Sequence, residues 1–378
     1  MELRRTIPAG GELLVALSEE RADAPVIPAA APRRAIMLPE VMAIRDVTEN
    51  LLTLDRCDCL VDGKMFVQDE YVLTLHDKLL DLKKDVPITQ IFRFRTTDDF
   101  RPGKLELLLE QAADHKITVN GREIQVEIKG FFRDPAFQRV DIAPAIRPGE
   151  NEIRLARVFA QSAKTRHNVE ISWIFESERN KLAFDTEIEA IYLCGDFSVD
   201  TANGTFTSVP GSVIERLGAG PEAKLPDRVR YSGEFILANP VKTVRREAVE
   251  QSGFPFFAGE MTLESSFTAE TDGELCSLDF AERRVTVCSV EVNGKPAGDL
   301  CWYNNSINIP PELVKKGENI ITLKLITSLR NMLGPHHLNC CEVNCGSPAV
   351  FYQEKGVFCQ HGALPWNRDW CFAPLGMK

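Results

Sequence analysis

No stretch of this sequence is long and apolar enough to cross a bilayer as a helix. No basic block is present either. The chain has 44 Lys and Arg against 55 Asp and Glu, a net charge of −11, which argues against nucleic acid or an anionic membrane as partner. Neutral ligands stay open. There is no G-x-G-x-x-G after a strand, no Walker loop and no G-x-S-x-G elbow, so nucleotide-dependent and serine-hydrolase chemistries lack their motifs. A long, clean period of 3.6 is missing, and with it any long amphipathic helix. As a signal peptide the N-terminal stretch fails, because its apolar run Gly11–Leu17 carries Glu12 and runs into Glu19-Glu20. The eleven cysteines are odd in number and unevenly spread, which argues against an extracellular disulfide framework. Free buried thiols in a cytoplasmic protein are the expectation.

What is present is a globular composition, 44% apolar and 26% charged over 378 residues, enough for two domains that each bury a core. Residues 1–20 read as the last strand of a preceding β-domain, and 21–40 as a Pro/Ala-rich linker. Strand-like alternation then dominates, in QIFRFRT (90–96), KLELLLEQ (104–111), HKITVNG (115–121) and EIQVEI (123–128), and later in NEIRLARVFA, VEISWIFES, EIEAIYLCGDF, EMTLESSFTAE, RRVTVCSVEVNG and NIITLKLIT. The expected class is all-β, with domains over 41–240 and 241–378.

An internal repeat supports two like domains. Residues 117–158 and 290–327 each hold a strand ending in V-N-G, an aromatic pair (Phe131-Phe132; Trp302-Tyr303), an Asp-Ile or Asn-Ile step and a closing G-E-N-x-I-x-L. Asn120-Gly121 and Asn293-Gly294 suit type I′ hairpin turns, where both central residues need positive φ. Gly149-Glu150-Asn151 and Gly317-Glu318-Asn319 suit a second tight turn. D-I-A-P-A-I and N-I-P-P-E-L-V each fit one helical turn at the end of a sandwich. Two copies make tandem domains, not a solenoid.

This pattern resembles the galactose-binding-like jelly roll found in the sugar-binding domain of family 2 glycoside hydrolases. QSGFPFFAGEMTLESSF (251–267), VEVNGK, SLRNMLGPHH (328–337), LTLDRCDCLVDGK (52–64) and EAIYLCGDFSV (189–199) are similar to the C-terminal region of large bacterial glycoside-hydrolase-like proteins, from about Leu51 onward. The resemblance implies two tandem jelly-roll β-sandwiches, carbohydrate as partner, and a non-catalytic region beside a catalytic glycosidase domain or subunit that this chain does not contain.

Sugar sites pair an aromatic face with fixed polar groups. The candidate ligand-binding residues are therefore Trp302, Tyr303 and Asn304 in one loop and Arg330, Asn331, His336 and His337 in another; burial of Trp302 in the core is the competing expectation. Phe131-Phe132-Arg133-Asp134 takes the equivalent place in the first copy and reads as packing. His337 with Cys340, and Cys341 with Cys345, approach zinc-ligand spacing, but the resemblance stops before these cysteines, which disfavours a metal site. No catalytic residue and no cofactor is assigned. Calcium stays open at loop acids such as Asp272 or Glu150, without a D-x-D-x-D spacing. An autonomous glycosidase, for which Asp196 and Glu260 are the most motif-embedded carboxylates, and a purely structural or oligomerisation module are the alternatives. Gly253, Pro255 and Gly259 around three phenylalanines read as a rigid crossing between domains.

Overall fold

A computed structural model describes residues 32–337 and 368–378, apart from 102, 173, 175–177, 179–180, 211–212, 215–222, 225–226 and 303, together with the short strands 353–354 and 357–358. The strand expected over 1–20, Tyr303 and the cysteines at 340, 341 and 345 lie outside the described residues. The fold is predominantly β, in several sheets. No helix among the described residues is long and apolar enough to cross a membrane.

The chain divides into two compact units, and neither is one contiguous segment. The smaller takes the described residues up to Val47, then Glu260–Thr327 and Gly376–Lys378; the larger takes Thr48–Gly259 and Ser328–Leu375. Strand pairing is the reason the division falls elsewhere than residue 240. Val41–Val47 runs antiparallel to Glu260–Ala269, and even Arg34–Ala35, expected as linker, pairs with Cys276 and Ser277.

In the larger unit, one sheet runs in the order Phe131–Phe132, Asp134–Asp141, Leu105–Leu109, Ile191–Gly195, Asn50–Leu54. A second is centred on Val86–Thr96 and Gly149–Phe159, which pair antiparallel over their whole length. Along Val86–Thr96 buried and open positions largely alternate, as a half-covered strand requires. Leu52, Leu107 and Leu193 of the first sheet and Phe92, Ile117 and Ile153 of the second belong to one core cluster. In the smaller unit Val41–Val47, Glu260–Ala269, Gly317–Ile326, Val287–Val292 and Lys295–Leu300 are successive neighbours. Leu263, Val290 and Leu323 form its buried face.

The repeat has a specific physical content. Asn120 and Gly121 have φ of 51° and 82°, and Asn293 and Gly294 have 53° and 74°, so both hairpins turn with positive φ at both central residues. Asn120 Nδ2 donates to Ala145 O at 2.8 Å and to Asn151 Oδ1 at 2.7 Å; Asn293 Nδ2 donates to Leu313 O at 2.9 Å and to Asn319 Oδ1 at 2.8 Å. Asn151 Nδ2 closes on the carbonyls of Arg147 and Gly149, and Asn319 Nδ2 on those of Lys315 and Gly317. The two units therefore contain the same asparagine lattice, tying hairpin, single helical turn (Ala143–Ala145; Pro311–Leu313) and G-E-N turn together. Its asparagines at 151 and 319 are buried, so their amides carry hydrogen bonds that water does not supply.

Three segments depart from expectation. VEISWIFES begins inside a helix, Ala163–Ser172, where alternation had suggested a strand. Ser162 Oγ accepts the Thr165 N–H at 3.2 Å as an N-cap, and this local bonding outweighs a short period of two. Of EIQVEI only Glu123 is strand, as the end of the two-residue strand Arg122–Glu123. Val72–Leu80 is a helix of nine residues burying Val72, Leu75, His76 and Leu79, a stripe too short to stand out from the surrounding apolar sequence.

Candidate functional site

The loop SLRNMLGPHH folds as one helical turn, Arg330–Leu333, stopped by Gly334 at φ 85°. A Cβ there would meet His336 N at 2.9 Å, so the position needs glycine both for its backbone and for the close approach of the ring behind it. Thr53 Oγ1 donates to Met332 O at 2.9 Å, fixing the turn to the strand Asn50–Leu54. Asn331, His336 and His337 are then buried. The Asn331 side chain exchanges two hydrogen bonds with the Ala373 backbone, at 2.9 and 2.8 Å. His336 Nε2 donates to Asn331 O at 2.8 Å. Burial pushes this imidazole down to about 3, so His336 is neutral, packed among Phe256, Trp370 and Phe372.

His337 is buried with partners at both ring nitrogens. Nδ1 lies 3.1 Å from Asp369 O and Nε2 3.0 Å from Asp55 Oδ2. Asp55 sits between the strands Asn50–Leu54 and Arg56–Val61 and is itself buried. Burial alone raises its carboxyl, but the charge and hydrogen bond of His337 outweigh that and leave it below the usual carboxylate range. The Trp370 ring packs on His337 with centroids 4.7 Å apart.

Two clefts of the larger unit share the half-buried Trp370. One, of about 520 Å³, is lined by Arg93, Arg95, Glu150, Glu234, Phe235 and Trp370 among others. The second, of about 290 Å³, is lined by Asp55, Arg56, Asp58, Asp69, Arg93 and Trp370 among others. Their charges are paired: Arg95 with Glu150 at 2.9 Å and Glu234 at 3.9 Å, Arg93 with Asp58 at 2.7 Å, and Arg56 with Asp69 at 2.9 Å. The Asp69 N–H and Arg93 outweigh the effect of burial and hold the Asp58 carboxyl low.

The residues expected to bind ligand are thus distributed. Trp302 and Asn304 belong to the smaller unit; Arg330, Asn331, His336 and His337 belong to the larger. Trp302 is 81% exposed, so it does not plug a core. Asn304 is exposed, and its Oδ1 accepts the Ser306 N–H at 3.1 Å. None of these residues lines the two clefts; His337 reaches them through Asp55 and Trp370. Sequence reasoning missed Asp55, Arg93, Arg95, Glu234 and Trp370. Asp55 lay inside a quoted motif, LTLDRCDCLVDGK, and Trp370 is one of only four tryptophans, set in polar NRDWCF.

Asp196 is exposed in the bend after Ile191–Gly195, and Glu260 opens a strand and pairs with Lys324 at 2.7 Å. Asp272 Oδ1 accepts the Lys316 N–H at 2.8 Å. No group of three or more His, Cys, Asp or Glu among the described residues has metal-holding geometry. Phe256 lies in the core of the larger unit, where the GFPFFAG segment ends. Cys57, Cys59, Cys194, Cys276 and Cys288 are buried free thiols, and Cys301 is half-buried. Burial pushes Cys59, Cys194 and Cys288 up to about 12, which leaves them protonated and unreactive.

No protein-family model and no curated protein matches the chain. Among solved structures it is similar to a β-D-mannosidase from Dictyoglomus thermophilum, at 10% identity over 74% of this chain and 31% of that one, with a TM-score of 0.25. A GH2 β-galacturonidase from Eisenbergiella tayi matches at 10% identity over 74% and 37%, TM-score 0.25. A β-glucuronidase from Ruminococcus gnavus matches at 8% identity over 76% and 44%, TM-score 0.28. The chain spans less than half the length of these glycosidases.

Proposed function

We propose that this chain is a non-catalytic, carbohydrate-associated β region that works with the catalytic domain of a glycoside hydrolase, and that the cleft beside Trp370 takes a neutral saccharide. One observation carries it: a half-buried indole in the wall of an open cleft of about 520 Å³, flanked by arginine–carboxylate pairs. Pyranose recognition needs an apolar face for the ring's C–H surface and rigid polar groups for its hydroxyls. The two arginines and two glutamates lining this cleft balance in charge, which favours a neutral sugar over an anionic one.

Glycoside hydrolysis requires one of two facing carboxyls to act as a proton donor. Glu150 and Glu234 both pair with the Arg95 guanidinium, so each carboxylate is already engaged with a cation of the chain itself. A binding role fits this arrangement better than turnover. The duplicated asparagine lattice supports the further proposal that each unit is a galactose-binding-like jelly roll, and the buried free thiols support a cytoplasmic setting.

The experiment is a titration of the full chain with methyl β-D-glucopyranoside, galactopyranoside and mannopyranoside, followed by NMR. Binding of at least one, weakened about tenfold or more by Trp370→Ala, is the expected result. Aryl-glycoside hydrolysis by the chain alone, lost on Glu150→Gln or Glu234→Gln, would replace this proposal with the enzyme reading.

A further inference from the structure

Asp55 and His337 are close to fully buried, yet Asp55 lines the smaller cleft. Of its two carboxylate oxygens, Oδ2 meets His337 Nε2, while Oδ1 is buried with no hydrogen-bond partner among the described residues. A buried carboxylate oxygen without a donor is costly. The groups around it account for its charge but not for that oxygen.

The proton inventory of His337 is constrained. Asp369 O is a carbonyl and only accepts, so Nδ1 carries a hydrogen. Nε2 faces a carboxylate oxygen, so a second proton lies between ring and Asp55. Among the described residues, ring neighbours of His337 include His336, neutral at a ring-centroid distance of 6.3 Å, the Tyr71 ring at 5.9 Å and the Trp370 ring at 4.7 Å, with the Arg56 cation beside Asp55 in the cleft wall. The ring is therefore held at both nitrogens, with a hydrogen between Nε2 and Asp55 Oδ2.

We propose that Asp55 is a specificity-determining residue of the cleft: His337 holds its Oδ2 in place, and its Oδ1 accepts a hydroxyl hydrogen from the saccharide packed against Trp370. This rests on the cleft being a saccharide site. His337 is the positioning residue, because it holds the Asp55 carboxylate on one side and supports the Trp370 ring on the other. A ligand without a donor at that position leaves Oδ1 unpaired, and recognition of this kind discriminates strongly. The exposed Arg93 and half-buried Trp370 line the same cleft as Asp55, so a small side-chain shift there is what would open Oδ1 to a ligand.

The test has two arms on the full chain. Nitrogen-15 NMR of the His337 ring is expected to show a hydrogen on Nδ1 and a hydrogen bond between Nε2 and Asp55; a ring without the Nδ1 hydrogen, or with Nε2 free, overturns the positioning role and the proposal with it. In titrations with the three methyl β-pyranosides, Asp55→Asn, isosteric and checked for an unchanged backbone spectrum, is expected to weaken binding about tenfold or more, with monodeoxy analogues identifying the hydroxyl lost. His337→Gln is expected to reduce affinity in the same direction. Binding that is sensitive to Trp370→Ala but unchanged in Asp55→Asn overturns this proposal and leaves the cleft assignment standing. Absence of binding by all three sugars overturns both.

Discussion

Trp302 stands 81% exposed at φ 53°, a conformation unfavourable for a bulky residue, with its carbonyl accepting from Arg283. Left-handed backbone costs a non-glycine residue roughly 1–2 kcal/mol. An exposed ring returns little of that through burial. Trp302→Gly is therefore expected to leave stability unchanged or raise it by up to about 1 kcal/mol, read from denaturant melts. A clear destabilisation would mean that the indole contributes packing that its exposure does not suggest. The same scale explains why the histidines were legible only as a motif. Sequence marks a Gly-Pro-His-His element; only the backbone shows His336 and His337 turned inward, each engaged with protein acceptors.

The asparagine lattice belongs to the scale of elements. Asn319 is fully buried and links Asn293, Lys315 and Gly317; Asn151 does the same for Asn120, Arg147 and Gly149. Replacing either by alanine strands several buried backbone and amide groups, each worth roughly 1–3 kcal/mol. Asn319→Ala and Asn151→Ala are each expected to cost about 2–4 kcal/mol. Hydrogen exchange is expected to accelerate around 287–300 in the first and around 116–123 in the second. Equal, unlocalised loss in both variants would contradict the lattice as a local device. These turns were legible because positive φ and side-chain capping restrict the residue types that fit. The helix Ala163–Ser172 was not, because its apolar spacing also satisfies a strand and the deciding bond, from the Thr165 N–H to Ser162, is not a matter of periodicity.

For the whole molecule, acid is the informative perturbation. Burial pushes His76 down to about 4 and His336 to about 3, against about 6.5 in an unfolded chain. Below pH 6.5 the unfolded form takes up protons that the folded form refuses, so stability falls as pH drops from about 6.5 toward 4. Each histidine is expected to remove about 2 kcal/mol by pH 5. Burial pushes His115 down to about 4 as well; comparing denaturant melts at pH 7 and pH 5, His76→Leu is expected to remove about 2 kcal/mol from the dependence. An unchanged dependence would mean that His76 is not the neutral buried group described. Asp55 acts in a lower window, since its stabilisation persists until pH falls through its depressed carboxyl value.

Sequence alone determined the β class, the two hairpin turns, the single helical turns and the duplicated pattern, because each depends on residues near one another in the chain. Tertiary structure decided which segments share a unit and where a ligand cleft forms. Val41–Val47 pairs with Glu260–Ala269, and Asp55 meets His337, across separations that no local pattern encodes. Strand pairing and burial act on whatever the folded chain brings together, so the cleft beside Trp370 was invisible until the strands had been placed.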